Sequence, residues 1–355
     1  MHASAVRCLV EAAVAAPSGN NCQPWRFAWD GHGLSVLFDR PRAASLLDVA
    51  HRGSWMALGA ALENMDVAAG PAGLSLAPEV FPHGHDADVV AQVRVERAVP
   101  TPHPLQAALA RRCTNRAPYR DAPWPPGARD DLLAVQAAGV TVRWTEDPDG
   151  IARAARAAAV NEQLLFAHHE LHAGLVRWLR WSQGESAARR DGLPLGTLGI
   201  GRLEQTMLRA VARWPVARAA NAVGFARFVR FRSGTNLRRS GAFGLLVARD
   251  DTPERWVEAG RLMQRLWLVA AARGLAFHPL TAIVLLVLRH RVCPGDFDAG
   301  QRRLLEAAQR EIEAVFLLQP GEVPASLVRV GVAPPPPRAP RRPLGDVFAV
   351  APPAR

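Results

Sequence analysis

Apolar residues recur at helical spacing in two stretches of the first hundred residues. The stretches are 3–16 and 55–69, and the turn sequences Pro17-Ser18-Gly19 and Gly70-Pro71 end them. Short runs at 34–38 and 89–95 have the composition and alternation of strands. The pattern therefore predicts a first unit that contains two helices and two strands.

A similar mixture of patterns starts again after residue 100. The predicted helices cover 105–112, 151–181, 254–273 and 302–312, and the predicted strands cover 140–144, 243–248, 315–318 and 327–332. The stretch 182–240 is rich in Gly and Arg and is less regular, which is typical of an excursion or a lid. No strict βαβ rhythm connects these elements. We therefore predict an α+β fold with two similar halves, 1–100 and 101–355, the second carrying a lid insertion around 183–240 and a basic, proline-rich tail.

Composition excludes several chemistries. The chain has 355 residues and 43 strongly basic side chains, all of them arginine, because lysine is absent. Schiff-base catalysis and the Walker-type phosphate loop both need lysine. The single tyrosine, Tyr119, without a lysine, also excludes reductases built on a Tyr/Lys pair. Any bound anion must be held by arginine, by backbone N–H groups or by helix N-termini.

The net charge of +11 raises the question of a nucleic-acid partner. Aromatic residues make up only 6% of the chain, and 32 acidic residues are interspersed with the arginines, so we expect no nucleic-acid partner and attribute most of the charge to compositional bias. The four cysteines lack metal-type spacing and are expected to be reduced. The longest apolar run, 282–288, is too short to cross a membrane. These features predict a cytoplasmic protein without a membrane partner.

Two segments in the first 120 residues carry candidate binding chemistry. Residues 16–25, Ala-Pro-Ser-Gly-Asn-Asn-Cys-Gln-Pro-Trp, offer hydroxyl, amide and N–H groups that could bind a flat heteroaromatic ring, although an ordinary Asx-rich turn has the same composition. In 111–116, Arg112 and Arg116 flank Thr114 and could converge on one phosphate from the first turn of a helix. The alternative for this segment is a solvated arginine face.

Two further segments lie near the C-terminus. In 274–282, Pro279 fixes the chain beside N–H groups, such as that of Thr281, that could face a ligand; the alternative is a simple helix-to-strand loop. The segment 337–344 contains Arg338, Arg341 and Arg342, which could bring guanidinium groups to an anion or form a disordered basic tail.

Together, and in this order, the four segments resemble the FMN-dependent nitroreductase family. The run Pro17-Ser18-x-x-Asn21-x-Gln23-Pro24-Trp25 resembles the family's turn along the flavin, and Arg112-x-Thr114-x-Arg116 is similar to its element for the FMN phosphate and ribityl chain. Pro279-Leu280-Thr281-Ala282 matches the place where members set a backbone N–H near flavin N5, and Arg341-Arg342-Pro343-Leu344 resembles the closing basic segment. The resemblance implies these FMN-binding residues: Ser18, Asn20, Asn21, Gln23, Arg112, Thr114, Arg116, Pro279, Leu280, Thr281 and Arg341.

The layout resembles the double-length, Acg-type members of that family. In members of ordinary length the arginine element precedes the turn, and two chains form a dimer with two flavin sites. Here the turn comes first, the arginine element follows about a hundred residues later, and no second copy of the turn occurs. The resemblance implies a fused, degenerate pseudo-dimer with a single flavin site and a lid that includes 189–194.

The resemblance also implies an activity. We expect an FMN-binding oxidoreductase that reduces small aromatic or quinone-like acceptors with NAD(P)H, with the redox chemistry on the flavin and no catalytic side chain. The alternative is a flavin-binding or flavin-storage protein whose lid covers FMN and permits little turnover. We expect a monomeric pseudo-dimer, with a higher oligomer left open. His168 and His172 lie four residues apart but lack a third ligand, so we expect no metal site.

Overall fold

The first part of the chain builds a sheet with two long helices packed in its core. The computed structural model describes residues 3–350. The first elements are α1 (Ala3–Val14), β1 (Trp25–Trp29), β2 (Gly33–Phe38), α2 (Arg40–Ala43), α3 (Arg52–Ala69), β3 (Leu74–Val80) and β4 (Val89–Arg97). The strands pair antiparallel in the spatial order β1-β2-β4-β3. The helical stripes predicted over 3–16 and 55–69 are confirmed by burial of the residues at helical spacing: Val6, Leu9, Val10 and Ala13 in the first, and Met56, Gly59, Leu62 and Met65 in the second.

The second part of the chain builds a separate four-stranded sheet. Its elements up to the lid are α4 (Gln106–Arg111), α5 (Ala128–Leu133), β5 (Val140–Thr145), α6 (Pro148–Ala158), α7 (Val160–Ala167) and α8 (His169–Trp178). β6 (Leu179–Arg180) precedes the lid, which contributes α9 (Gln183–Arg189), β7 (Leu193–Pro194), α10 (Arg202–Val211), α11 (Trp214–Ala222) and α12 (Phe225–Leu237). The remaining elements are β8 (Ala242–Ala248), α13 (Pro253–Ala272), β9 (Ala276–Pro279), α14 (Thr281–Val292), α15 (Ala299–Val315), β10 (Val323–Gly331) and β11 (Phe348–Val350).

The second sheet has the order β5-β8-β10-β9, and all of its neighbouring strands are antiparallel. Every residue of β8 is buried, which explains the continuous apolar run at 242–248: both faces of this central strand are covered. No parallel βαβ unit joins the neighbouring strands of this sheet, and the predicted α+β class is confirmed.

The two parts meet where α3 crosses α13. A Cβ placed on Gly59 would lie 2.0 Å from the carbonyl oxygen of Val257, and one on Gly260 would lie 2.0 Å from that of Met56. The contact is reciprocal, because each glycine faces the carbonyl three residues before the other glycine. Only a residue without a side chain allows the two backbones to approach this closely. At this crossing the backbones of the two helices are therefore in direct contact.

The chain returns to the first sheet at its C-terminal end. After β10 the tail runs back across the molecule, and β11 pairs in parallel with β1, with Phe27 opposite Phe348. The N–H of Phe27 donates to the carbonyl oxygen of Val347 at 2.7 Å. The complete first sheet therefore has the order β11-β1-β2-β4-β3 and contains residues from both ends of the described chain.

The lid is more regular than its composition predicts. Most of 183–240 is helical, in α9 to α12, so the prediction of an irregular segment is wrong. These helices share a small apolar core with the end of α7, separate from the main core: Phe166, Leu179, Leu193, Leu195, Leu208, Val211, Ala217 and Ala226. Within residues 3–350 no helix is both long and apolar enough to cross a membrane.

Two other predicted elements are corrected. The single helix predicted over 151–181 is three helices, because His168 has an extended backbone and its ring nitrogen accepts the N–H of Leu171 to begin α8. The strand predicted over 315–318 is the end of α15 and a turn, in which Leu317 has a positive φ of 50°. The apolar residues there cover a helix end and do not extend a sheet.

Candidate functional site

The turn at 18–23 owes its shape to residues that accept a left-handed backbone. Asn20, Asn21 and Gln23 have φ values of 49°, 55° and 53°, a region that asparagine tolerates better than most residues. The hydroxyl of Ser18 accepts the N–H of Gln23 at 2.9 Å and closes the turn. As a result the side chains of Asn21 and Gln23 are buried between the first sheet, the lid and the tail.

The arginine element does not lie in the first turn of a helix, as the sequence suggested. It follows the last residue of α4, and Arg112 already has an extended ψ of 121°. Thr114 then pairs with Phe277 of β9, and the N–H of Asn115 donates to the Phe277 carbonyl oxygen at 3.0 Å. In this extended geometry the side chains two residues apart project to the same side. Arg112, Thr114 and Arg116 therefore reach one cavity without a helical scaffold.

That cavity is lined by residues from distant parts of the chain. It has a volume of about 160 Å³ and is partly open to solvent. The walls are formed by the turn, the arginine element, the lid and the tail: Ala15, Pro17, Ser18, Asn21, Arg112, Cys113, Thr114, Arg116, Leu193, Thr197, Pro337, Arg338, Ala339 and Arg341.

Positive charge dominates this cavity, although the buried carboxylate of Glu162 lies within electrostatic range of Arg116. Within residues 3–350, Arg112, Arg116 and Arg341 form no ion pair with a carboxylate. The Nε atoms of Arg112 and Arg341 are buried and have no hydrogen-bond partner. Burial, helped by the nearby charge of Arg341, lowers the pKa of Arg112 to about 9. Burial also lowers the pKa of Arg341 to about 10 and that of Arg116 below its ordinary value.

Each of these guanidinium groups is held in place by neutral groups. Arg112 donates to the carbonyl oxygen of Ala15 at 3.0 Å, and its guanidinium carbon lies 4.4 Å from the centre of the Trp267 ring. Arg341 donates to Asn21 Oδ1 at 2.8 Å, and Arg116 donates to the Thr197 carbonyl oxygen at 3.1 Å. Since these partners orient the groups without neutralising them, the site is prepared for an anion.

The lid is hydrogen-bonded to the turn that forms part of the cavity. Asn21 Nδ2 donates to the carbonyl oxygen of Gly192 at 3.1 Å and to that of Pro340 at 3.0 Å. Gln23 Nε2 donates to the Arg190 carbonyl oxygen at 2.9 Å. The amide side chains that the resemblance assigns to the flavin therefore already join the lid and the tail to the first half.

An ion-pair cluster around Asp191 links the segment 180–191 to the first half of the chain. Arg180, whose side chain is 1% exposed, approaches Asp191 at 2.5 Å, and Arg42 reaches the same carboxylate at 2.7 Å. Arg42 also donates to the Cys22 carbonyl oxygen, which ties the turn to this cluster. Burial alone would raise the pKa of Asp191, but the hydrogen bonds from Arg180 and Arg42 hold this pKa below its ordinary value of 3.8.

The structure brings together six of the eleven residues assigned to the flavin. Ser18, Asn21, Arg112, Thr114, Arg116 and Arg341 line the cavity. Asn20, Gln23, Pro279, Leu280 and Thr281 do not line it. The N–H of Leu280 is taken by the Leu327 carbonyl oxygen at 2.7 Å, whereas Thr281 occupies the first turn of α14, where amides lack intrahelical acceptors.

Some cavity residues were not assigned from the sequence. Cys113, Leu193 and Thr197 contribute to its walls, and only the position of Cys113 between Arg112 and Thr114 could have indicated it. In the tail, Arg338 and Arg341 reach the cavity, whereas Arg342 lies 3.7 Å from Asp39 outside it.

The histidine pair on α8 has a structural role in these contacts. Nε2 of His168 lies 2.8 Å from the Asp296 carbonyl oxygen, and Nε2 of His172 lies 2.8 Å from that of Val211. In the part of the chain that the structure describes, no group of three or more His, Cys, Asp or Glu side chains is arranged to hold a metal ion.

Comparison with known proteins supports the same resemblance as the motifs. The chain is 28% identical, over an alignment of 358 residues, to the protein named "Putative NAD(P)H nitroreductase acg" in two strains of Mycobacterium tuberculosis, CDC 1551 / Oshkosh and H37Rv. The alignment covers 97% of this chain and 95% of that protein. The predicted resemblance to Acg-type nitroreductases is confirmed. An uncharacterized protein of the same organism, MT1398, is also 28% identical and is covered over 46% of its length. No family model matches the chain.

Solved structures give looser similarities. The FMN and NADPH-dependent nitroreductase NfnB of Sphingopyxis sp. strain HMH is 15% identical, with a TM-score of 0.37 over 68% of this chain and 96% of that one. The FMN-dependent nitroreductase NfnB of Mycobacterium smegmatis, solved with NADPH, is 17% identical, with a TM-score of 0.35 over 68% and 97%. At these TM-scores the structural likeness carries no argument about the site.

Proposed function

We propose that this chain is an FMN-binding oxidoreductase of nitroreductase type with one flavin site, in the cavity between the turn, the arginine element and the tail. Its substrates are small aromatic or quinone-like acceptors, and its electron donor is NAD(P)H. The Acg relatives carry the name of NAD(P)H nitroreductases, which supports this class of activity.

The observation that carries the proposal is the uncompensated charge of Arg112 and Arg341, beside which Arg116 also lines the cavity. Buried cations normally have a carboxylate partner, because an unpaired buried charge is costly. Here the missing partner is an anion from outside, and the free Nε–H groups of Arg112 and Arg341 are donors of the kind that phosphate oxygens accept. The residues present therefore fit the phosphate of FMN.

The remaining residues have separate tasks in this proposal. The hydroxyl of Thr114 and the side chain of Ser18 offer hydrogen bonds to the ribityl chain and ring edge from opposite walls. The N–H of Thr281 is the proposed donor to flavin N5, and Leu280 positions it by its hydrogen bond to β10. Bound FMN would supply the two-electron redox chemistry. Arg341 is held by Asn21, so the turn orients the tail cation as well as lining the cavity.

We also propose that the chain divides near residue 100 into the two halves of a fused pseudo-dimer. The reciprocal contacts of Gly59 and Gly260 and the presence of one sheet on each side of the crossing support this division. The C-terminal half, in this proposal, contributes the arginine element, the lid and the tail, and the N-terminal half contributes the turn. One complete set of these segments corresponds to one flavin site.

The closed lid supports a second candidate function, flavin binding or storage with little turnover. Leu193 and Thr197 stand at the cavity wall, and the lid backbone accepts hydrogen bonds from Asn21, Gln23 and Arg116. A lid fixed in this way would restrict access of nicotinamide to the ring. The two candidates share the cofactor and differ in reduction by NAD(P)H.

Two measurements test these candidates in sequence. An absorbance spectrum of the purified protein should show bound flavin, and a protein that neither retains nor takes up FMN would refute both candidates. Anaerobic addition of NADPH, and separately of NADH, should bleach the flavin absorbance if the protein is a reductase. Persistence of the flavin spectrum under both reductants would leave storage as the function.

A matched pair of variants tests the phosphate contact. Arg116→Ala should weaken FMN binding by about 1.5–3 kcal/mol, the range for a hydrogen bond to a charged group. Arg111→Ala removes an exposed guanidinium five residues earlier, outside the cavity, and should leave the affinity unchanged. Equal affinities of the two variants, measured by equilibrium titration of FMN fluorescence, would remove Arg116 from the site.

A further inference from the structure

The outer surface of the lid carries both exposed apolar side chains and an excess of arginines. The described residues include eleven large hydrophobic side chains that are strongly exposed, and six of them lie in 203–231: Leu203, Met207, Val216, Val223, Phe228 and Phe231. Leu203, Val223 and Phe231 are 74%, 88% and 71% exposed. The apolar surface of the molecule is therefore concentrated on α10 to α12, which suggests a contact surface.

The segment that contains these helices, 202–239, carries most of the excess positive charge of the protein. Residues 202–239 contain nine arginines and one acidic residue, Glu204. Of these arginines, Arg232 alone is ion-paired within residues 3–350, and its partner is that glutamate. Arg202, Arg218 and Arg227 are exposed. Compositional bias does not explain this distribution, because outside 202–239 the other 34 arginines are accompanied by 31 acidic residues.

The exposed residues form stripes along the helices. On α12 the exposed positions are Arg227, Phe228, Phe231, Arg232 and Thr235, and on α10 they include Arg202, Leu203, Thr206, Met207 and Ala210. Both sets follow the i, i+1, i+4, i+5, i+8 spacing of one helical face. The Arg232–Glu204 ion pair joins the two helices next to Phe231 and Leu203, so the two stripes lie side by side.

We propose that this face of the lid docks on an anionic lipid membrane. Phenylalanine and leucine side chains flanked by arginines are the composition that places a helix in the boundary between headgroups and acyl chains. The guanidinium groups match the phosphates of anionic headgroups, and the apolar residues are distributed over three helices instead of forming one pocket for a protein side chain. Such docking is peripheral and needs no membrane-spanning segment, so it modifies the expectation of no membrane partner drawn from the apolar runs. It is independent of the proposed redox function.

The experiment is sedimentation of the full chain with vesicles. Vesicles of equal phosphatidylglycerol and phosphatidylcholine should bind the protein at low salt, and vesicles of phosphatidylcholine alone should bind it far less. The double variant Phe228→Ser/Phe231→Ser should reduce partitioning about tenfold or more, from the apolar area withheld from the bilayer. Arg218→Gln/Arg227→Gln should reduce it by about fivefold per arginine and weaken its salt dependence.

The test includes a control double variant and three results that would overturn the proposal. Val99→Ser/Val292→Ser changes two exposed apolar residues outside the lid and should leave vesicle binding unchanged. Absence of binding to anionic vesicles, equal binding to neutral vesicles, or binding that both lid variants retain would each overturn the proposal. A lid-dependent shift of single-stranded RNA, or a lid-dependent dimer in sedimentation velocity, without vesicle binding would assign the surface to those partners instead. Circular dichroism of each variant verifies that the fold is retained.

Discussion

Replacement of Gly59 by alanine tests the tight crossing of α3 and α13. The new Cβ would lie 2.0 Å from the Val257 carbonyl oxygen, 2.8 Å from its carbonyl carbon and 3.1 Å from its Cα, whereas ordinary contacts are 3.4–4 Å. All three atoms belong to the backbone, so no side-chain rotation can relieve the clash. The helices must separate by more than about 1 Å, a gap that already forfeits up to about half of each dispersion contact across the crossing.

The cost of that separation is spread over a large buried area. Fourteen residues of α3 and eleven of α13 are buried, so many contacts lengthen when the helices move apart. Overpacking in a well-packed core typically costs about 1–3 kcal/mol. Since backbone opposes backbone here, we expect Gly59→Ala to lower the free energy of unfolding by about 3 kcal/mol or more. Guanidinium chloride denaturation, followed by tryptophan fluorescence and circular dichroism, measures this change.

Controls within the same chain make the result decisive. Gly174 lies inside α8 and a Cβ there meets nothing within 4 Å, so Gly174→Ala should stabilise the protein by about 0.5–1 kcal/mol through helix propensity. Gly260→Ala should destabilise it as Gly59→Ala does, and the double variant should cost less than the sum, because one separation accommodates both methyl groups. A loss below about 1 kcal/mol for Gly59→Ala would refute the proposed close packing.

Three further predictions concern the turn, the lid and the cavity cysteine. Asn21→Ala should lower the free energy of unfolding by about 2–4 kcal/mol, because it removes one acceptor of the buried Arg341 and the donor to the carbonyl groups of Gly192 and Pro340. Asn20→Ala, at a similar φ but without a side-chain hydrogen bond in the described structure, should cost clearly less in the same denaturation assay. The pKa of the Asp191 carboxyl is depressed in the folded state, so the stability that the ionised group contributes is complete above pH 3.8 and is lost as the pH falls through the folded pKa. The difference in the free energy of unfolding between wild type and Asp191→Asn should therefore shrink below pH 3.8. A difference that stays constant with pH would contradict the role of this ion-pair cluster. Burial raises the pKa of the Cys22 thiol to about 12, so iodoacetamide at pH 8 should label Cys113 at the cavity wall well before Cys22 in the native protein, as read by mass spectrometry of tryptic peptides; prior labelling of Cys22 would show that the turn opens.

Sequence patterns predicted those elements whose burial follows a single period. The helix at 55–69 and the strand at 243–248 are of this kind, since one is packed around an apolar stripe and the other is covered on both faces. The lid helices were not predicted, because their apolar residues are divided between a small core and an exposed surface and no single apolar stripe is dominant. The strand at Trp25–Trp29 alternates clearly, but it directly follows the turn motif and is only five residues long.

The candidate site was predictable where charged side chains form it. Arg112, Arg116 and Arg341 were assigned by motif, and the structure brings all three to one cavity. The hydrogen bonds between the lid and the turn could not be predicted in the same way. Asn21 and Gln23 donate to backbone carbonyl groups of the lid, and a backbone acceptor can belong to any residue type. The orientation of the arginine element also depends on its pairing with β9, which is a long-range contact.

The pairing of β11 with β1 has a consequence for how the protein folds. Residues that pair there, and the side chains of Asn21 and Arg341, are separated by about 320 positions in the chain. Contacts of such long sequence separation form late, because the loop between them must first lose its conformational freedom. Until then β1 is an unpaired edge strand, with backbone groups able to bind another chain. Aggregation during refolding should therefore originate at this edge, and a protein refolded in the presence of a peptide with the sequence 344–350 should capture that peptide on β1.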